Sequence, residues 1–97
     1  MELEEINKEL EILYEELEKK LKNVHVYLFG SILNNSKKAN DLDILILYND
    51  IDQVKFIKEK CDIINLIYPI HILYLTFQEE KELQFTSEQN TKLVFKI

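Results

Sequence analysis

The chain has 97 residues, 46% of them hydrophobic, and carries a formal net charge of −6. That length holds one domain, residues 1–97, and leaves no room for a second, while the apolar share excludes a disordered chain. The acidic balance argues against direct binding of DNA or RNA, which needs a basic surface, but leaves open a small anion or a divalent cation at one focused site.

The first segment opens Met1-Glu2-Leu3-Glu4-Glu5, without the basic and apolar pattern of a leader. No apolar run approaches the ~18 residues a membrane span needs. The single cysteine, Cys61, rules out an internal disulfide and suits a reducing compartment, with the thiol inert in a helix. These features lead to the expectation of a soluble cytoplasmic protein with no membrane partner.

Leu3, Ile6, Leu10, Leu13, Leu17 and Leu21 recur at spacings of three and four, predicting a helix over about 3–22. Glu residues crowd its start and Lys19, Lys20 and Lys22 its end, which suits the helix dipole. The stripe either packs on the domain's own sheet or forms a coiled-coil seam. Val24–Phe29 is β-branched and aromatic and predicts a strand. Ser31 opens a short helical turn, and Asn34–Asn40 is a polar loop with no apolar anchor. Leu42–Tyr48 is nearly all apolar, as in a strand covered on both faces. Asp50 caps a second long helix, from about Ile51 to Ile67. After Pro69, Ile70–Leu75 is a third strand. Thr76 with Glu79 makes a capping box for a helix ending near Phe85, and Lys92–Ile97 is an edge strand. The fold class is α/β (α+β): a small mixed sheet of three to four strands with packed helices. The dozen residues between Phe29 and Leu42 are the lower limit for a parallel crossover, so the first pair is antiparallel at least as readily as parallel, and a mixed sheet is expected.

The chemistry concentrates in "YLFGSILNNSKKANDLDILILY", residues Tyr27 to Tyr48. Gly30 is the only glycine, where average usage of about 7% would supply several. Between a strand and a helical turn it permits positive φ or a close approach of backbone to a ligand. The N–H groups behind it and the Ser31 hydroxyl suit a phosphate, though Ser31 as a plain N-cap explains the pair equally. Asp41 and Asp43, two apart on a strand, point to one face. Bare, two adjacent carboxylates repel. Either Mg²⁺ offsets that repulsion, or Asp41 ends the loop and Asp43 sits at a solvated strand mouth. Lys37 and Lys38 in the intervening loop either reach phosphate oxygens or stay solvated.

The segment "LFGS…NDLDILILY" resembles the signature of the polymerase-beta-type nucleotidyltransferase superfamily, and the chain's size resembles its minimal members. The loop is one residue shorter than the commonest spacing. The resemblance implies that Gly30 and Ser31 bind a nucleoside triphosphate, ATP being the first choice. It also implies that Asp41 and Asp43 ligate Mg²⁺ (or Mn²⁺), and that a nucleoside monophosphate passes to a protein or small-molecule acceptor. It further suggests a homodimer or a helical protein partner, of the toxin–antitoxin sort.

One departure stands out. Active members carry a third carboxylate in the next strand, and "YPIHILYLT" has none. His71 falls at the expected place. It acts as a general base, biases the site toward another metal such as Mn²⁺, marks a site with weak or lost catalysis, or is a structural histidine. His25 reads as surface polar filler; Glu79 and Glu80, just after the third strand, either swing in toward the site or stay outside it, with Glu79 read as a cap. The rival to an enzyme is thus a degenerate binding or interaction module working through the leucine stripe and the Lys92–Ile97 edge.

Overall fold

The most apolar run of the chain lies inside a four-stranded sheet. In the computed structural model, which describes residues 1–97, β1 (His25–Phe29), β2 (Leu42–Tyr48), β3 (Ile70–Thr76) and β4 (Thr91–Lys96) lie in the order β3-β2-β1-β4. β1 pairs antiparallel with both β2 and β4, and β2 pairs parallel with β3. The short link after Phe29 reverses the chain, whereas the helix after Tyr48 provides the crossover a parallel pair requires. The mixed sheet agrees with the sequence reading, and the first pair takes the antiparallel arrangement of the two left open.

Five helices join these strands: α1 (Leu3–Glu18), α2 (Ser31–Asn34), α3 (Ile51–Asn65), α4 (Phe77–Leu83) and α5 (Phe85–Glu88), with a 3₁₀ turn at Ser36–Lys38. None is long and apolar enough to cross a membrane. The pleat divides the strand side chains between two faces. Val26, Leu28, Leu42, Ile44 and Ile46 face α1 and α3 in the larger core. Leu45, Leu47 and Leu75 face the other way, where Tyr27, Phe29, Leu73, Phe77 and Phe85 pack around them. β2 is therefore covered on both sides, with only Asp43 less than buried.

On α1, Ile6, Leu10, Leu13 and Leu17 are buried in the chain's own core. This excludes the coiled-coil seam and removes the leucine stripe as a partner surface; of the large apolar residues on that helix only Leu3 and the off-stripe Ile12 remain exposed. α1 stops at Glu18, short of the expected 22. Leu21 N–H still reaches the Leu17 carbonyl at 2.9 Å, but Asn23 at φ +60° turns the chain into β1.

Three further details differ from expectation. The loop after α2 has an apolar anchor, the buried Ala39. Gly30, and not Ser31, occupies the N-cap of α2. The helix expected to end near Phe85 breaks one residue earlier, at Gln84, which adopts left-handed φ +54° and starts α5. The two capped starts hold. Asp50 accepts from Asp52 N–H at 3.0 Å, and Gln53 closes a capping box there. Thr76 accepts from Glu79 N–H at 3.0 Å, and Glu79 accepts from Thr76 N–H at 2.9 Å.

Candidate active site

The register of the sheet places one residue from each of three strands in a row: His71 beside Asp43, and Asp43 beside Phe29. Residues opposite each other in a ladder point to the same face, so these three side chains stand together on the α4–α5 side. Asp41 lies two residues before Asp43 and projects the same way. The contacts agree. His71 Nδ1 is 3.7 Å from Asp43 Oδ1 and 4.0 Å from Asp41 Oδ2. Both separations are too long for hydrogen bonds, so the nitrogen faces the two carboxylates without being fixed to either. Asp43 retains 23% of its side-chain exposure, Asp41 43% and His71 70%, which grades the row from sheet interior to solvent.

Gly30 closes the fourth side. Its φ of +78° and ψ of −153° fall in a region essentially reserved for glycine. A Cβ built there would collide with Asp43 Oδ2 and stand 3.2 Å from Asp43 Cγ. The glycine is required twice, once for backbone conformation and once to admit the carboxylate. It also joins the two half-motifs, 13 positions apart, at one corner.

Ser31 follows as the first residue of α2 and is exposed. Lys37 and Lys38 are exposed on the 3₁₀ turn and make no ion pair with Asp41 or Asp43. The corner is open: the larger surface hollows lie along α1, β4 and the start of α3, and none includes Asp41, Asp43 or His71.

Two aromatic edges trace the path of α4 and α5 over this face. Phe77 meets His25 at 4.7 Å between ring centroids, at the end of β1 remote from the site. Phe85 meets Phe29 at 5.1 Å, at the site end. His25 is therefore packed rather than surface filler, and burial, then Lys96, pushes its pKa below the usual value. Between the two edges Glu80 turns inward. Its Oε1 accepts from Thr86 N–H at 2.9 Å and from the Thr86 hydroxyl, while Oε2 is buried without a protein partner. Burial, then the Glu80 charge, raises the pKa of Tyr27 on the same face. The place of Glu80 just after the third strand leaves open that it swings in, and it does turn inward; nothing in the sequence singled out Phe85, because the break at Gln84 that turns it toward Phe29 has no glycine to announce it.

The donor set suits a hard cation in part. Mg²⁺ is commonly held by one or two carboxylates with substrate phosphates and water completing the shell, and Asp41 and Asp43 meet that requirement. No three His, Cys, Asp or Glu side chains are closed around one point to hold an ion by themselves. A family model described as the nucleotidyltransferase domain matches residues 10–94. The matched span runs from α1 through β4 and includes Gly30, Asp41, Asp43 and His71. The chain belongs to this nucleotidyltransferase domain family, whose chemistry is nucleotidyl transfer. No curated protein matches it.

Proposed function

We propose that the chain moves a nucleoside monophosphate from a nucleoside triphosphate, ATP first, to a protein or small-molecule acceptor. The observation that carries this reading is the seating of the Asp43 carboxylate against Gly30, with Asp41 beside it. No packing argument needs a glycine-only backbone pressed against one of two like-charged groups. Asp41 and Asp43 would hold Mg²⁺ or Mn²⁺, and the cation would stabilise the attacking and leaving oxygens. The backbone N–H groups after Gly30 would meet the triphosphate, Ser31 would add a hydroxyl donor, and Lys37 and Lys38 would reach its oxygens from the neighbouring turn. The acceptor oxygen forms the new bond to the α-phosphorus as the bond to pyrophosphate breaks, and the acceptor's proton leaves to solvent. So small a domain has little surface for choosing an acceptor, which favours a homodimer or a helical partner, as in a cytoplasmic toxin–antitoxin pair.

The test is incubation of the full chain with α-labelled ATP, Mg²⁺ or Mn²⁺, and a cell lysate. Label should move to one acceptor with the wild type and not with Asp41→Ala. Equal labelling by both proteins would remove Asp41 from the mechanism.

A second reading, a binding module on a transferase scaffold, is favoured by one observation: β3 offers His71 and no carboxylate at the row of Asp43. With the leucine stripe buried, its working surface reduces to the β4 edge, where Lys92, Leu93 and Lys96 are exposed.

A further inference from the structure

The position opposite Asp43 decides which cation the corner prefers. We infer that His71 is a third, nitrogen ligand that turns the site away from Mg²⁺ and toward first-row transition cations, Co²⁺ more than Mn²⁺. The inference rests on the nucleotidyltransferase reading of Asp41 and Asp43.

Three features support it. The first is register: His71 and Asp43 are direct neighbours across the parallel β2–β3 pair, so their side chains share a face. The second is orientation. Nδ1 faces both carboxylates, at 3.7 and 4.0 Å. A nitrogen aimed at the two carboxylates is placed to ligate a cation held between them, while a base acting toward the solvent side would have to use the other ring nitrogen, Nε2. The third is reach. Ligand atoms in neighbouring positions of an octahedral shell with bonds of ~2.1 Å stand about 3 Å apart. Closing the observed gaps takes roughly 1 Å, and a side chain that is 70% exposed can move that far without disturbing the core.

The chemistry sets the direction. Mg²⁺ wants oxygen and gives up water reluctantly. Imidazole suits the later first-row metals, and affinity at a mixed nitrogen–oxygen site rises from Mn²⁺ to Co²⁺. Two carboxylates and an imidazole leave the remaining positions to phosphate oxygens and water.

The experiment loads the full chain with Mn²⁺, alone and with a non-hydrolysable ATP analogue, and records electron spin echo modulation. Coupling to one imidazole nitrogen is expected in wild type and in His25→Gln, and is expected to vanish in His71→Ala. In parallel, Co²⁺ and Mg²⁺ affinities are measured by titration. His71→Asp should lower the Co²⁺-to-Mg²⁺ preference by about tenfold or more. Because His71 is exposed, His71→Ala should melt with the wild type in the absence of metal. Asp43-dependent Mn²⁺ uptake without nitrogen coupling would overturn the inference and leave the transferase reading standing. Absence of Asp43-dependent uptake of any of the three cations, with or without the analogue, would overturn both.

Discussion

Replacing Gly30 by alanine should destabilise the fold through two separable effects. A non-glycine residue at φ +78° and ψ −153° is strained, at a cost of about 1–3 kcal/mol. The new Cβ would also land on Asp43 Oδ2, forcing the carboxylate to rotate. At ~4–8 °C per kcal/mol for a domain of this size, the strain alone lowers Tm by roughly 4–24 °C. The collision can be measured independently in an Asp43→Ala background. There the nearest remaining side-chain atom of residue 43 is its Cβ at 3.5 Å, an ordinary contact. Gly30→Ala should therefore cost less in that background, with a coupling of ~0.5–3 kcal/mol. Urea unfolding of the four proteins, without nucleotide or metal, gives the cycle. A Gly30→Ala cost below ~0.5 kcal/mol, or the same cost in both backgrounds, would show that the carboxylate does not lie against the glycine.

Other outcomes follow from groups away from the corner. Cys61 is fully buried and its thiol is pushed up to about 12 by burial, so it should resist a thiol reagent at pH 8 and react once urea unfolds the chain. The folded-state pKa of His25 lies below its usual 6.5, so the unfolded chain takes up the proton first as pH falls. The His25 contribution to stability is present above pH ~6.5 and is lost as pH falls through the lowered folded value. Urea midpoints of wild type and His25→Gln, compared across that window, should converge toward acid, and a constant difference would contradict the assignment. Thr76→Ala breaks the capping box of α4 and should cost ~0.5–2 kcal/mol in denaturant unfolding, with Glu79→Gln costing less because the amide oxygen can still accept.

Much of the fold was written in local pattern. The apolar run Leu42–Tyr48 became β2 with the bounds expected of it, because nothing but a doubly covered strand suits seven such residues in a row. Asp50 and Thr76 marked helix starts because their side chains can meet N–H groups that have no other partner. The corner was legible for a related reason. A lone glycine and an Asp-x-Asp pair are weak separately, but a two-residue pleat and an antiparallel return can bring them together, and here they do. What the sequence did not disclose depends on distant packing. The break at Gln84 carries no turn residue. It is held by Glu80 reaching the N–H and hydroxyl of Thr86, six positions on. The pairing of β4 with β1, and the packing of His25 on Phe77, likewise arise between segments far apart in the chain. The resemblance put the missing carboxylate at position 71, and the sheet register sets His71 beside Asp43.

The most direct measurement is thermal melting of the full chain with ATP and Mg²⁺ or Mn²⁺, for wild type and Asp43→Ala. With free nucleotide at a hundred times its Kd, mass action adds about 2.7 kcal/mol, a rise of roughly 11–22 °C in a domain of this size. The rise is expected in wild type, absent without the cation, and abolished by Asp43→Ala. A wild-type melt that no triphosphate and neither cation moves would contradict a nucleotide–metal site at Gly30, Asp41 and Asp43.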